Sequence, residues 1–346
     1  MKIAVVGATG LVGREMLTVL AERGFGDEEI IAAASPRSVG KKVDFAGRQL
    51  TVVSVDEAIA ARPRFAIFSA GASASRQYAP LFAAVGTTVV DNSSAWRKDP
   101  AIPLVVPEVN IDSIRPSDRI IANPNCSTIQ MVLAISALQR EYGIRRLVIA
   151  TYQSITGTGI KAVRQLEAEE QGLEPSERAY VNPIHRNLFP HRGDFQPDGY
   201  TTEEQKLVDE TRKIFADPSI AITATVVRVP VVGGHSEAVN IELRRDYDLD
   251  EVRRLIAATP GVILYDDPTR NLYPMPILSH HRDEVWVGRI RCDFSQPNAL
   301  NLWVVADNIR KGAATNAIQI MQALLSSPTP HPLPGEGTER GCSDKQ

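Results

Sequence analysis

Three glycines, Gly7, Gly10 and Gly13, separate a short apolar run from a helical pattern near the start of the chain. The run KIAVVG has the apolar, β-branched character of a buried strand, and the apolar residues from Leu11 to Leu20 recur at helical spacing. Glycine permits a tight turn between two such elements and lets backbone N–H groups approach a pyrophosphate. The spacing is G-x-x-G-x-x-G, not the commoner G-x-G-x-x-G, so a plain tight turn is the alternative. The pattern predicts a strand, a turn that binds a dinucleotide, and a helix.

Further strand patterns follow, and they are of two kinds. In the first third of the chain, EIIAAAS, RFAIFSAG, TTVVDNSS and RIIANPN alternate with helical patterns, which is typical of a parallel sheet covered by helices. Farther on, the longer runs RRLVIATYQSI, IAITATVVRVPV, EAVNIELR and EVWVGRIRCDF indicate a mixed or antiparallel sheet. The fold class we expect is α/β, with a Rossmann-like parallel-sheet domain and an α+β domain. Ligands of open parallel sheets bind beyond the carboxyl ends of the strands, so site residues should lie there.

The length of 346 residues favours two domains. We expect a nucleotide-binding domain over 1–126, a second domain over 127–306, and a helix over 307–326 that returns to complete the first domain. One face of that helix carries Ile309, Ala313, Ala317, Ile320 and Leu324. Segment 327–346 is rich in proline, glycine and charge and has little to bury, so we expect it to be disordered.

Composition excludes several classes of function. The chain is 43% hydrophobic and 23% charged with a formal charge of -3, which is ordinary for a soluble globular protein and offers no basic field for nucleic acid or acidic membranes. The start MKIAVVGATG predicts a strand and not a secretory signal, and no apolar run approaches the roughly 20 residues of a membrane span. Three scattered cysteines, Cys126, Cys292 and Cys342, predict no disulfide framework, no metal site and a cytoplasmic location.

The segment NPNCST places Cys126 between the end of a predicted strand and the start of a predicted helix. The helix dipole and free N–H groups at such a position favour the thiolate, so we expect a lowered thiol pKa. A lone cysteine is equally well a small buried side chain. From the residues alone, a nucleophile and a packing residue both remain open.

A thiol that attacks a carbonyl group needs a partner for its proton. His235 follows two glycines between two strand-like runs, where the backbone can present it at an edge, although a histidine in a turn is usually only solvated. Arg97 follows a predicted strand end, and Arg228 lies on the run that leads to His235. Two guanidinium groups from different domains could bind a phosphate and a carboxylate, and solvated surface arginines are the alternative.

The segment ASPRSVGKK follows the second predicted strand, where an NAD-binding chain would place a carboxylate for the ribose 2′-hydroxyl. This chain has Arg37, Ser38, Lys41 and Lys42 there instead. Cations and a hydroxyl suit a 2′-phosphate, so NADP is the preferred cofactor. A solvated basic loop is the alternative.

These motifs together resemble the aspartate-β-semialdehyde dehydrogenase family from residue 1 to about residue 325. The single glycine turns are generic, but NPNCSTIQ followed by RVPVVGGHSEAVN is highly specific. The motifs that carry the resemblance are GATGLVG, SPRSVGKK, FSAGASASRQYAP, DNSSAWR, VVPEVN, NPNCSTIQM, YQSITGTG, NLFPH, TTEEQKLVDETRKI, RVPVVGGHSEAVNIEL and ADNIRKGAA.

The resemblance implies a role for each matching residue. Cys126 would carry an acyl-thioester, His235 would act as acid–base partner, and Gln153 would orient the substrate. Backbone N–H groups after Cys126, with Gln153, would stabilise the oxyanion. The implied substrate contacts are Arg228 to the α-carboxylate, Glu203 to the amino group, and Arg97 with Lys206 to the phosphate.

The resemblance also implies an NADP site. The family often has Ser-Gly where this chain has Thr156-Gly157, a change that keeps the hydroxyl. The implied NADP contacts are Gly7, Thr9, Gly10, Leu11, Val12, Arg37, Ser38, Thr156, Gly157 and Asn308.

The implied activity is the reversible, NADP-dependent conversion of L-aspartyl-4-phosphate to L-aspartate-4-semialdehyde, on the route to lysine, diaminopimelate, threonine, methionine and isoleucine. A homodimer formed through the second domain, residues 127–306, is implied as well. One alternative is an N-acetyl-γ-glutamyl-phosphate reductase, whose blocked amine has no use for Glu203. The other is a non-catalytic paralogue, against which the presence of Cys126, Gln153, Arg228 and His235 argues.

Overall fold

The computed structural model describes residues 1–326. The predicted disordered segment 327–346, which includes Cys342, lies outside the described residues. Within the described part, no helix has the length and apolar character needed to cross a membrane.

Five parallel strands near the start of the chain form the first sheet, in the order β2-β1-β5-β6-β7. The chain leaves β1 to one side and later returns to its other side, so a crevice opens beyond the carboxyl ends of β1 and β5. The elements of this part are β1 (Lys2–Val6), α1 (Leu11–Leu20), β2 (Glu29–Ala33), β3 (Lys42–Phe45), β4 (Arg48–Thr51), α2 (Val55–Ala60), β5 (Phe65–Phe68), α3 (Ala72–Ala84), β6 (Thr88–Asp91), α4 (Pro107–Asn110) and β7 (Ile120–Ala122).

Six strands form the second sheet, in the order β11-β12-β13-β10-β8-β9. Strand β10 is antiparallel to β8 and β13, whereas β8 and β9 are parallel. The elements of this part are α5 (Cys126–Tyr142), β8 (Ile144–Ser154), α6 (Ile160–Glu170), α7 (Thr202–Ile214), β9 (Ala221–Val229), β10 (His235–Leu243), α8 (Leu249–Ala257), β11 (Val262–Leu264), α9 (Pro276–Ser279), β12 (Val285–Cys292), β13 (Ala299–Ala306) and α10 (Thr315–Ser326). The predicted fold class, a parallel-sheet domain beside a domain with a mixed sheet, is confirmed.

Two helices pack against one sheet each. Every residue of α5 from Ser127 to Leu138 is buried, including four polar ones. Its apolar side chains pack into the core of the mixed sheet. Helix α10 lies in the core of the parallel sheet through Ala317, Ile320 and Leu324. This packing agrees with the expected return of the C-terminal helix, although the domain boundaries themselves stay a prediction.

A buried ion pair fastens the segment before α10 to α4. The Nζ atom of Lys311 lies 2.8 Å from both carboxylate oxygens of Glu108. It also donates to Asn316 at 3.1 Å and to Gln319 at 2.6 Å. Burial lowers the pKa of Lys311, and the charge of Glu108 opposes that shift. The cation is therefore tolerated because its partners surround it.

Replacing Lys311 with methionine should lower the free energy of unfolding by about 3 kcal/mol, because the Glu108 carboxylate is left without a buried counter-ion. Urea unfolding measures this. The matched control is Lys161→Met, which removes an exposed ion pair with Glu177 and should cost at most about 1 kcal/mol. Equal losses in the two variants would show that the buried pair adds no more than an exposed one.

Candidate active site

A cleft of about 340 Å³ lies where the carboxyl ends of the parallel strands face the mixed sheet. It brings together residues that the sequence analysis drew from positions as far apart as the first helix and the end of β13. The predicted site residues that line it are Gly10, Leu11, Val12, Arg97, Cys126, Thr156, Gly157, Glu203, Lys206, His235 and Asn308.

The remaining predicted residues lie around this cleft. Gln153 is fully buried behind it. Arg228 lines an adjoining cavity of about 660 Å³, which shares Thr158 and Arg192 with the cleft. The other predicted nucleotide contacts lie on the segments that extend from the cleft past β1 and β2. These are Gly7, Thr9, Arg37 and Ser38.

Cys126 is the first residue of α5, and Asn125 caps that helix. The Asn125 Oδ1 atom accepts hydrogen bonds from the backbone N–H groups of Ser127, at 3.0 Å, and Thr128, at 3.4 Å. A Cβ atom at Gly312 would lie 2.8 Å from the Cys126 Cβ, so only glycine leaves room for the thiol there. The segment NPNCST thus forms the capped helix start that the sequence predicts. The two N–H groups that follow Cys126 are occupied by the cap, so the prediction that they stabilise an oxyanion is wrong.

The predicted lowering of the Cys126 pKa is also wrong. The side chain is partly exposed to the cleft but closely surrounded by protein. Burial and the nearby Glu203 carboxylate raise the pKa of the thiol, against the opposing charges of Arg192, Arg228 and Arg97. Desolvation therefore outweighs the neighbouring positive charges, and the thiol is the stable form.

His235 is fully buried at the start of β10. Its Nδ1 atom accepts a hydrogen bond from the backbone N–H of Ser154 at 3.0 Å. Because Nδ1 is the acceptor, the neutral ring carries its proton on Nε2, which has no partner within residues 1–326. Burial and the charges of Arg228 and Arg192 hold the pKa of His235 well below its usual value. A neutral imidazole is therefore ready to donate from Nε2.

Arg228 lies beside Gln153 in the paired strands β8 and β9 and is almost completely buried. Its Nη1 atom donates to the backbone oxygen of Ser154, and its Nη2 atom has no partner in the described chain. Burial and the neighbouring Arg192 lower the pKa of Arg228 to about 10, which still leaves it charged at neutral pH. A Cβ atom at Gly157 would lie 3.3 Å from both the Arg228 Nη1 atom and the His235 ring, so these groups converge beneath one loop.

Glu203 on α7 is the anionic group of the cleft. Its carboxylate accepts from the Asn125 side chain at 2.7 Å and from the Lys206 Nζ atom at 2.8 Å, and the Arg192 Nε atom lies 3.6 Å away. Burial alone would raise its pKa, but Arg192 and Lys206 outweigh burial and lower it to about 2. The carboxylate stays ionised in spite of its burial.

Arg97 is held at the cleft by a buried acid that the sequence analysis missed. Its Nη1 atom lies 3.2 Å from the Glu210 Oε1 atom, and its Nη2 atom donates to the Asn92 backbone oxygen at 2.9 Å. The other Glu210 oxygen accepts from the backbone N–H of Asn125 at 2.6 Å. Glu210 follows Glu203 by two helical turns, a spacing that places both on one face of α7 and that could have revealed it. Arg192, also missed, lies in an irregular loop that shows no periodicity.

The glycine turn after β1 is closely packed. Gly7 has a φ of +93°, and a Cβ atom there would lie 2.4 Å from the Ser69 backbone oxygen. A Cβ atom at Gly13 would lie 2.1 Å from the Gly7 oxygen, so α1 can start this close to the sheet only with glycine. The first residues of α1, Leu11 and Val12, line the cleft. A helix N-terminus in this position suits the pyrophosphate of a dinucleotide.

Asn308 offers a free hydrogen-bond donor at the other end of the cleft. Its Oδ1 atom accepts from the Thr156 hydroxyl at 3.0 Å and from the Gly234 N–H at 3.2 Å. Its Nδ2 atom is buried and has no partner among the described residues. A buried donor of this kind fits a carboxamide oxygen, such as that of a nicotinamide.

A group outside the cleft has the composition of a metal site. The ligand atoms of His280, His281 and Asp307 lie within 4.8 Å of one another. The Asp307 carboxylate, however, already accepts from the backbone N–H groups of His281, Ile309 and Arg310. These hydrogen bonds account for the group without an ion, and the absence of a metal stays a prediction.

Comparison with known proteins gives a consistent result. The family described as "Semialdehyde dehydrogenase, NAD binding domain" matches residues 2–117, and "Semialdehyde dehydrogenase, dimerisation domain" matches residues 135–311. An aspartate-semialdehyde dehydrogenase of Aquifex aeolicus is 48% identical over 94% of this chain and 98% of its own. One of Legionella pneumophila is also 48% identical, over 94% of this chain and 95% of its own.

A solved structure of aspartate semialdehyde dehydrogenase II from Vibrio cholerae, complexed with ASA, has a TM-score of 0.89 and 42% identity and covers 94% of this chain and 98% of its own. Two family domains, closely similar relatives over nearly the whole chain and a matching solved structure therefore agree. The chain belongs to the aspartate-semialdehyde dehydrogenase family of oxidoreductases.

Proposed function

We propose that this protein converts L-aspartyl-4-phosphate to L-aspartate-4-semialdehyde reversibly, with NADP as cofactor and an acyl-thioester on Cys126. The observation that carries the proposal is the convergence of one thiol, one ionised carboxylate and several cations on one cleft. An amino acid with a phosphorylated side chain carries one cationic and two anionic groups, which residues of opposite charge at this site could bind. Glu203 would face its ammonium group, Arg228 its carboxylate, and Arg97 with Lys206 its phosphate.

The pKa of Glu203 favours the aspartyl substrate over the N-acetylated, longer one. With a pKa of about 2, this carboxylate is ionised throughout the neutral pH range and can bind an ammonium group. An acetylated amine carries no charge. It would compete with Lys206 and Arg192 for Glu203 without forming an ion pair with that carboxylate. The cleft is therefore suited to a free α-amino group.

The proposed reaction begins at the sulfur of Cys126. Its thiolate attacks the carbonyl carbon of the acyl phosphate, a C–S bond forms, and the C–O bond to phosphate breaks. The phosphate leaves towards Arg97 and Lys206, both at the cleft. Because burial favours the thiol, its proton must leave as the substrate binds; it passes to an oxygen of the departing phosphate, and the arginines around the sulfur favour that loss.

NADPH, when bound, supplies a hydride to the thioester. The residues suited to hold it are the first turn of α1 for the pyrophosphate, Arg37 and Ser38 for a 2′-phosphate, and Thr156 with Asn308 for the nicotinamide. Ser38 already lies near the glycine turn, with its hydroxyl 3.5 Å from that of Thr9. The unpartnered Asn308 donor supports the nicotinamide end of this assignment.

His235 and Gln153 are the donors proposed for the oxyanion that forms when the hydride arrives. The His235 Nε2 proton faces the loop at Gly157, and one amide hydrogen of Gln153 is left after its bond to the Ser127 hydroxyl at 3.1 Å. Collapse of the oxyanion releases the aldehyde and returns the thiolate of Cys126. Preorganised donors of this kind are commonly worth about 3 kcal/mol each.

We also propose a homodimer in a cytoplasmic location. The match to a dimerisation domain supports the first part. An apolar cavity of about 380 Å³ on the mixed sheet, lined by Ala238, Tyr273, Met275 and Trp303, marks a surface suited to a second copy of the chain. The cytoplasmic location rests on composition alone.

The purified protein should reduce NADP in the presence of phosphate and aspartate semialdehyde. The matched substrate is N-acetylglutamate semialdehyde, for which we expect kcat/KM to be lower by roughly 10² or more, since its blocked amine leaves Glu203 without a charged partner. Running both assays with NAD tests the cofactor. A preference for the acetylated substrate would favour the reductase alternative, no turnover with either would favour a non-catalytic paralogue, and equal efficiency with NAD would overturn the role of Arg37.

A further inference from the structure

Glu237 is a buried acid that the proposed chemistry leaves unused. It lies on β10 two residues after His235, so both side chains project from the same face of the sheet, the face that α5 covers. The residue is fully buried. Within residues 1–326, no lysine, arginine or histidine forms an ion pair with it, and neither carboxyl oxygen has a hydrogen-bond partner of good geometry.

The polar groups beside Glu237 belong to α5 and β8. The Ser127 hydroxyl and the Gln130 amide lie near its carboxyl group, although both contacts are looser than an ideal hydrogen bond. Thr151 lies directly opposite Glu237 in the β8–β10 pair, and its buried hydroxyl also has no partner in the described chain. A carboxylate in this place would be an isolated buried anion, whereas a carboxylic acid would not.

The hydrogen bonds around Glu237 leave one neighbouring oxygen without a donor. The Ser127 Oγ atom accepts from the Gln153 Nε2 atom at 3.1 Å, so the hydroxyl proton of Ser127 is free to point to Glu237. The Gln130 Nε2 atom donates to the backbone oxygen of His235 at 3.2 Å. The oxygen of the Gln130 amide is then left buried without a partner. A proton on Glu237 would give the Gln130 oxygen a donor, whereas a carboxylate would not.

We propose that Glu237 is held as a neutral carboxylic acid whose proton completes a hydrogen-bond chain from Gln153 through Ser127 and Gln130 to the backbone of His235. Glu237 accepts from Ser127 and donates to the Gln130 oxygen. The two ends of the chain are the groups proposed to stabilise the oxyanion, so the role of Glu237 as a positioning residue rests on the proposed function. Burial raises the pKa of this carboxyl group well above its usual value, which agrees with the geometry.

Two substitutions distinguish the proposed hydrogen-bond chain from a role for a negative charge at Glu237. Glu237→Gln keeps one acceptor for Ser127 and one donor for the Gln130 oxygen, so kcat should stay within about threefold of wild type. Glu237→Met keeps the length of the side chain but removes both hydrogen bonds. It should lower kcat by about 10- to 100-fold, with the KM for aspartate semialdehyde and the affinity for NADP nearly unchanged, because Gln153 and His235 lose their support at the reacting centre.

Infrared difference spectroscopy tests the proton without reference to activity. Wild type minus Glu237→Gln should show the C=O stretching band of a protonated carboxylic acid at neutral pH. Should Glu237→Met fail to fold, Ser127→Ala breaks the same chain and should show the same loss of kcat.

Three results would overturn the proposal. They are equal losses of kcat in Glu237→Gln and Glu237→Met, wild-type kcat in Glu237→Met or Ser127→Ala, and the absence of the band. A wild-type protein that turns over no substrate would overturn the proposed function and the positioning role with it, while the infrared band would still decide whether Glu237 is neutral.

Discussion

Replacing Cys126 with alanine is expected to lower phosphate-dependent NADP reduction by roughly 10⁴-fold or more, the scale seen when an enzyme loses its nucleophile. The sulfur is required because a thioester accepts hydride and a thiolate leaves readily, and an alanine methyl group can do neither. The smaller side chain fits beside Gly312, so the fold should be unaffected. Initial rates with aspartate semialdehyde, NADP and phosphate measure the effect.

The matched control is Cys292→Ser. Cys292 ends β12 and is also a partly exposed free cysteine, but it does not line the cleft. It should retain wild-type rates, and the Cys126→Ala variant should still bind NADP. Measurable turnover at near wild-type rate in Cys126→Ala would exclude a covalent route through this thiol.

Replacing Arg228 with methionine should lower kcat/KM for aspartate semialdehyde by roughly 10²- to 10³-fold, mainly through KM, because the substrate carboxylate loses a buried cation. The variant should be at least as stable as wild type. Burial of the charged Arg228 side chain costs free energy, and one of its nitrogens has no partner within residues 1–326. Loss of activity without loss of stability would separate a binding role from a structural one.

The pKa of His235 provides a second measurement on the same variant. The charge of Arg228 lowers that pKa, so its removal should raise it, which NMR titration of the His235 ring can follow. The matched control is Arg145→Met, which removes an exposed guanidinium from β8 and should leave KM unchanged. A KM in Arg228→Met equal to that of wild type would show that Arg228 does not bind the substrate carboxylate.

The fold and the nucleotide turn could be predicted because they depend on local patterns. The apolar run before Gly7 and the helical spacing after it determine β1 and α1 without help from distant residues. The helical pattern after Cys126 likewise predicts α5, although the burial of its polar Gln130 and Ser136 is visible only in the structure. Patterns of this kind carry information on periodicity and burial.

Electrostatic properties could not be predicted in the same way, because they depend on groups far apart in the chain. The predicted direction of the Cys126 pKa shift was wrong because a helix terminus is visible in the sequence, whereas the degree of burial and the approach of Glu203 are not. The bond from the Asn125 N–H to Glu210 joins residues 85 positions apart. Even so, the face shared by Glu203 and Glu210 on α7 is a pattern that a search for charged helical faces would find.

The roles of the two ring nitrogens of His235 are another property that only the structure provides. The sequence predicts a histidine at the edge of a strand, but it cannot say which ring nitrogen faces the substrate. The Ser154 N–H bond to Nδ1 assigns Nε2 as the donor. The neutral ring can therefore donate a hydrogen bond from Nε2 without first being protonated, which is consistent with its lowered pKa.

Mass spectrometry can detect the proposed thioester on Cys126. The protein is incubated with aspartate semialdehyde and NADP but without phosphate, so that the acyl group has no acceptor, and is then quenched in acid. We predict a mass increase of one aspartyl group on the peptide that contains Cys126, and none in the Cys126→Ala variant. An unmodified Cys126 peptide in protein with measured turnover, or an aspartyl group on another residue, would contradict it.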